Sequence, residues 1–220
     1  MSDADLPLEH VHAEPDEPTE GAAPAVFVMH GRGADEEDLL PIAQRLPDTL
    51  HVVSLRAPER LRGGFTWYEL VMPEGDLHQS QPDQEDFRRS LDLVVESIDE
   101  AVDSYGLDED RIGLLGFSQG GIMSLSLLVE DPSSYEWVVA MHSYLPESHE
   151  DRSPEGIEDQ PVFVGAGKQD RVIPRKRSQR AAERLREMGA DVTFRAYEAP
   201  HGVAQAELDD VVEWVNGEVR

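Results

Sequence analysis

The chain has 220 residues, with 19 basic against 46 acidic side chains, a formal net charge of −27 and no cysteine. That surplus of carboxylates repels nucleic acid and anionic membrane surfaces, and the missing thiols exclude disulfides, thiolate metal sites and a cysteine nucleophile. The 39% of hydrophobic residues still suffices for one α/β-sized core.

Residues 1–23 are acidic and carry no Lys or Arg. Within them, 6–12 reads as a short edge strand and 15–24 as a solvated connection. His10 and His12 have metal-like spacing, but with no third ligand nearby they read as exposed polar positions. From residue 24 to 220 the pattern is that of one α/β domain. Residues 25–29 form a continuous apolar run, as in a strand covered on both faces. Residues 35–46 look helical, 51–55 is the next strand, and 57–82 reads as a loop rich in Gly, Pro and aromatics.

The clearest helix is 84–105, where Phe87, Leu91, Val94, Val95, Ile98, Ala101, Val102 and Tyr105 repeat at helical spacing and Gly106 is placed to end it. Strands at 111–116, 136–141, 160–166 and 191–197 then alternate with helices at 119–130, 174–188 and 203–216. Such alternation predicts a mainly parallel sheet with helices on both faces. Reactive groups gather beyond the carboxyl ends of those strands.

Gly116-Phe117-Ser118-Gln119-Gly120 lies between a predicted strand and a predicted helix. A Gly-x-Ser-x-Gly turn there forces the serine into a strained conformation, and only small residues two positions away avoid clashes. A hydroxyl needs a general base, and that base needs a fixed tautomer. Asp170 follows the strand 160–166 and His201 follows the strand 191–197, which gives the order Ser, acid, His of an α/β-hydrolase. Of the other histidines, His30 precedes the serine, His142 follows a strand one unit too early, and His149 lies in an acidic loop. The Gly-rich stretch His30-Gly31-Arg32-Gly33 follows the strand 25–29, so the backbone amides of Arg32 and Gln119 are the expected oxyanion donors. No Gly-Lys-Ser/Thr follows, which argues against a phosphate loop.

Together these residues resemble the phospholipase/carboxylesterase family of α/β hydrolases, which includes the acyl-protein thioesterases. The matching pieces are His30-Gly31-x-Gly33-x-Asp35, Phe65-Thr66-Trp67-Tyr68, Gly116 to Gly121, Tyr144-Leu145-Pro146, Gly167-x-x-Asp170-x-Val172-x-Pro174 and His201-Gly202, in order along nearly the whole chain. The resemblance implies a hydrolase with little or no lid that cleaves small carboxylic esters or thioesters through an acyl-Ser118 intermediate, without metal or cofactor. Lysophospholipase-type activity and a non-catalytic binding protein are the alternatives. Trp67 sits where the family has an aromatic near the site, and a buried core tryptophan is an equal reading. Two departures, His142-Ser143 for the usual Ser-Gly and Pro200 for a common Gly, are expected beside the acyl pocket and bear on substrate rather than mechanism.

Arg171, Arg175, Lys176, Arg177, Arg180, Arg184 and Arg186 cluster after Asp170 and read as a solvated helix face, with anion steering as the second reading. The acidity itself fits a folded protein in concentrated salt, where at about 1 M the Debye length is about 3 Å and self-repulsion is screened. With two lysines, no basic-apolar leader and no apolar run near 18 residues, the expected setting is a salt-adapted cytoplasm without stable membrane insertion; a homodimer stays open. Activity is expected to fall below about pH 6.5, where a typical imidazole protonates.

Overall fold

The computed structural model describes residues 4–15 and 21–219. The elements in chain order are β1 (His10–Ala13), β2 (Ala23–Met29), α1 (Leu40–Ala43), β3 (His51–Leu55), β4 (Glu59–Leu61), β5 (Gly64–Thr66), β6 (Leu70–Val71), β7 (Gln81–Pro82), α2 (Gln84–Tyr105), β8 (Leu107–Phe117), α3 (Gln119–Glu130), β9 (Trp137–Met141), α4 (Glu147–Glu150), β10 (Pro161–Gly167), α5 (Arg175–Met188), β11 (Asp191–Tyr197) and α6 (Gln205–Glu218). Among the described residues, seven strands form the central sheet in the order β1-β3-β2-β8-β9-β10-β11. Every neighbouring pair is parallel except β1 with β3. This is the α/β-hydrolase architecture expected from the alternation of strands and helices.

Each face of the sheet has its own core. On one side Phe87, Leu91 and Val94 of α2, Ile122 and Leu125 of α3, and Ala181, Ala182 and Leu185 of α5 pack together. On the other, Ile42 and Ala43 of α1 join Val211 and Val215 of α6. Leu91 is 1% exposed, and burying a leucine to that extent stabilises by about 1.5–3 kcal/mol. Asp83 caps α2 by accepting from the amides of Glu85 and Asp86, and Gly106 ends it at a φ of 66°.

Four expectations are revised. The helix expected over 35–46 shrinks to α1, flanked by turns, because Pro41 fits a first helical turn and not an interior. The region 57–82 is not plain loop but carries two small antiparallel pairs, β4 with β5 and β6 with β7. The edge strand sits at His10–Ala13 rather than 6–12, and β2 begins at Ala23, before Pro24. Of the expected connection 15–24, residues 16–20 lie outside the described residues. No helix among the described residues is long and apolar enough to cross a membrane.

Candidate active site

Ser118 stands between β8 and α3 with φ 55° and ψ −116°. A non-glycine residue there is strained by about 1–3 kcal/mol. The surroundings hold it in place: its amide donates to the Met141 carbonyl at 2.9 Å. The glycines on either side are required by contact. A Cβ on Gly116 would lie 2.3 Å from backbone atoms of Gly120, and one on Gly120 would lie 1.9 Å from the Met29 carbonyl oxygen.

The three residues expected to act together meet beyond the carboxyl ends of β8, β10 and β11. Ser118 Oγ lies 3.0 Å from His201 Nε2, and His201 Nδ1 lies 2.7 Å from Asp170 Oδ2. Asp170 Oδ1 accepts from the amides of Val172 and Ile173 at 2.8 and 2.9 Å. A carboxylate bound this way is an acceptor only, so His201 donates from Nδ1 and leaves the Nε2 lone pair facing the serine hydroxyl. Burial alone would push the Asp170 carboxyl up, but hydrogen bonds from His142 and His201 outweigh it and hold it well below the usual carboxylate range.

The loop after β2 lies alongside. His30 is 1% exposed; its Nε2 accepts from the Ala57 amide at 3.0 Å and its Nδ1 donates to Gly31 O at 2.7 Å. Burial pushes its pKa down, in keeping with this neutral tautomer. Gly33 donates to Phe65 O at 2.7 Å and Phe65 donates to Ala34 O at 2.8 Å, which ties the loop to β5. Among the described residues the Arg32 amide has no acceptor, and Gln119 opens α3, where a first-turn amide has no intrahelical partner.

Sequence reasoning did not foresee what the Gln119 side chain does. Its Oε1 accepts from Thr66 Oγ1 at 3.0 Å and the Trp67 amide at 3.1 Å, while its Nε2 donates to Tyr68 O at 2.9 Å. The residue after Ser118 therefore clamps the aromatic segment. Trp67 is fully buried and its indole N–H donates to His30 O at 2.9 Å, so it supports the loop from the core rather than lining a pocket.

His142 also departs from its expected place. It is fully buried behind Asp170, its Nδ1 2.8 Å from Asp170 Oδ2 and its Nε2 3.1 Å from Glu207 Oε2. It cannot form a pocket wall. Pro200 does face the opening, which Gln169, Arg171, Val172, Pro200 and His201 line. Ligand atoms of His142, Asp170 and His201 lie within 4.8 Å of one another, a spacing a cation would accept, and the one such grouping among the described residues. A metal there would take the nitrogens that orient the two imidazoles, and both sit at hydrogen-bond distance from a single oxygen.

The basic cluster is the expected solvated face in that Arg171, Arg175, Lys176, Arg180 and Arg186 are exposed, though several of its members also make contacts. The Arg177 guanidinium lies 3.3 Å from the Tyr144 ring centroid and donates to Ser80 O at 2.8 Å; Arg180 pairs with Glu150 at 2.5 Å; Arg186 donates to Val192 O at 2.7 Å. Of the seven, Arg171 lines the opening beside His201.

Comparison with known proteins agrees with this fold. The sequence pattern of the Phospholipase/Carboxylesterase family matches residues 10–218. The chain is 27% identical over 223 residues to acyl-protein thioesterase 1 of Cryptococcus neoformans, covering 90% of this chain and 93% of that one. Its fold superposes on the Bacillus cereus carboxylesterase with a TM-score of 0.85 at 24% identity, over 96% of this chain and 94% of that one. The carboxylesterase from Mesorhizobium loti gives a TM-score of 0.80 at 21% identity, over 97% and 96%.

Proposed function

Because this chain belongs to the phospholipase/carboxylesterase family of hydrolases, we propose that Ser118, His201 and Asp170 are its catalytic triad, cleaving carboxylic esters and thioesters. One observation carries the reading: the unbroken chain of contacts from Ser118 Oγ to His201 Nε2 at 3.0 Å and from His201 Nδ1 to Asp170 Oδ2 at 2.7 Å.

In this reading Ser118 Oγ attacks the acyl carbon while its proton passes to His201 Nε2. The carbonyl oxygen takes the negative charge, and the amides of Arg32 and Gln119 stabilise it; losing one such donor typically costs about 10²–10³ in rate. The tetrahedral adduct collapses, the C–O or C–S bond breaks, and His201 returns the proton to the departing alcohol or thiol. Water, deprotonated by the same imidazole, then releases the acid and frees Ser118. Asp170 stays ionised and orients the ring throughout. The N-terminal end of α3 adds partial positive charge beneath the developing anion.

The opening beside His201 is shallow, and Val172 is 37% exposed there. That suits an acyl group brought on a small leaving group, and the name of the fungal relative extends the reading to thioesters. A salt-adapted cytoplasm is the setting we assign, on the net charge of −27.

The test is labelling with a fluorophosphonate, followed by peptide mapping and by rates on p-nitrophenyl esters and matched thioesters of graded chain length in molar salt. Adduct on Ser118 alone, lost in Ser118→Ala, is the expected result. An unlabelled native protein, or equal labelling of Ser118→Ala, overturns it.

A further inference from the structure

Behind the triad lies a second imidazole that hydrolysis does not require. Asp170 Oδ2 receives two Nδ1–H groups, from His201 at 2.7 Å and from His142 at 2.8 Å. The far nitrogen of His142 meets Glu207 Oε2 at 3.1 Å. His142, Glu207 and the Asp170 side chain are all fully buried. An isolated charge in such a place is costly, and a carboxylate survives there by pairing.

The backbone is shaped to receive the pair. A Cβ on Gly165 would fall 2.1 Å from Glu207 Oε1, so the glycine in β10 opens the slot that the carboxylate fills. That Oε1 has no hydrogen-bond partner among the described residues, which leaves His142 as the group that compensates Glu207. His142 itself has φ 50°, a left-handed conformation unfavourable for a residue with a Cβ.

We propose that His142 and Glu207 are positioning residues for Asp170: an imidazolium held between two carboxylates pins the acceptor oxygen of the triad acid and limits how strongly that acid draws a proton onto His201. The inference rests on the triad reading above and deepens it. The row Ser118, His201, Asp170, His142, Glu207 then alternates neutral donor, base, anion, cation and anion. The negative charge behind the base is spread over two carboxylates rather than held on one.

Three titratable groups face His142: Asp170 from the loop after β10, Glu207 from α6 and His201 from the loop after β11. The Phe117 ring, 5.4 Å away between centroids, and the uncharged backbone of Gly167 also lie beside it. His201 in turn faces Asp170, Ser118, His142 and, at the opening, Arg171. Burial works against a charge on His142, but its hydrogen bonds to Asp170 and Glu207 outweigh burial and push its pKa up to about 9.

The sign follows from Coulomb's law. The two imidazole rings are 5.5 Å apart between centroids, so a positive His142 makes a second positive ring at 201 harder to form. Asparagine at 142 keeps a donor near the Nδ1 position and tolerates the left-handed backbone, but it carries no charge. His142→Asn is therefore expected to move the acid limb of the kcat/KM profile up by about one pH unit. It should also lower kcat about tenfold and leave KM within about twofold. A merely structural role would lower stability without moving that limb.

The direct reading is 15N NMR of the native protein, which needs neither turnover nor a variant. His142 should carry protons on both ring nitrogens at pH 7 and release one near pH 9, and in Glu207→Gln this release should move to lower pH. A neutral His142 at pH 7 overturns the proposal even if His142→Asn does not fold, as does a folded His142→Asn with an unmoved acid limb. Failure of Ser118 to label would instead strike the triad reading and leave the NMR result standing.

Discussion

The two ends of α3 present the same ingredients and a different outcome. At its N-terminus, Ser118 leads through His201 to Asp170, a carboxylate held far below its usual range. At its C-terminus, about 18 Å away, Glu130 is also depressed. Burial would raise it, but bonds from His149 and Arg88 outweigh that and bring it to about 2. Glu130 meets Arg88 at 2.6 Å, Arg152 at 3.2 Å and the 3%-exposed His149 at 3.1 Å. Both ends thus pair a histidine with a strongly acidic carboxylate. Each histidine even turns its other nitrogen to a serine, His149 to its chain neighbour Ser148 at 2.9 Å and His201 to Ser118 at 3.0 Å. The difference is that two arginines as well as the histidine hold Glu130, and that Ser118 alone of the two serines is strained at a strand-to-helix turn. A perturbed carboxylate with a histidine and a hydroxyl in line does not by itself mark a site; a serine held in a strained turn at the end of that line does.

Changes at the two ends should separate accordingly. Asp170→Asn should cut kcat by about 10³–10⁴ while the protein stays folded, since the base loses its tautomer; steady-state rates and far-UV circular dichroism on one sample check both halves. Gly120→Ala should destabilise by about 3 kcal/mol or more, because its new methyl meets the β2 backbone rather than a side chain that can move. Its denaturant midpoint decides this. Glu130→Gln should lower stability by about 1–2 kcal/mol and leave kcat/KM within about twofold; a tenfold loss of activity would erase the contrast between the ends. Arg152→Ala, which removes a half-exposed partner, should cost no more than about 1 kcal/mol in the same assay.

Proton linkage separates the ends by pH as well. His142 titrates higher in the folded state than the ordinary 6.5, so its contribution is complete below pH 6.5 and lost as pH rises through about 9. Glu130 titrates lower than the ordinary 4.5, so its contribution is present above that pH and lost as pH falls through about 2. Melting temperatures across the range should show an alkaline decline absent from His142→Asn and an acid decline reduced in Glu130→Gln. If either variant changes the other's limb, the two clusters are not independent.

The sequence made the helix and strand pattern readable where periodicity was strong: α2 spans 84–105 in both readings, and Gly106 ends it. It also carried Ser118, Asp170 and His201, because each stands just past a strand and the strand order fixes where they meet. What stayed hidden depends on contacts between distant segments. Glu207 is one of 46 acidic residues, and its register with Val211 and Val215 on the apolar face of α6 is easily passed over in a carboxylate. Gly165 was the available clue, a glycine inside a strand, but its meaning appears only when α6 is laid across β10. Position along the chain puts His142 near the site but does not show which side of Asp170 it occupies, and the structure puts it behind that residue, away from the opening. The apolar spacing of 35–46 suggests a longer helix than α1, because spacing alone does not weigh Pro41.

The close fit of Glu207 against Gly165 has a consequence for how such a chain can change over generations. A side chain at 165 would have to push the tip of Glu207 out of its slot, so position 165 is held to glycine while the carboxylate stays where it is, whereas 207 can shorten on its own. A lineage that loses the buried acid becomes free to fill the glycine, and once it has filled it, the acid cannot return by a single step. Change at these two residues, on separate elements, is therefore ordered, the acid before the glycine.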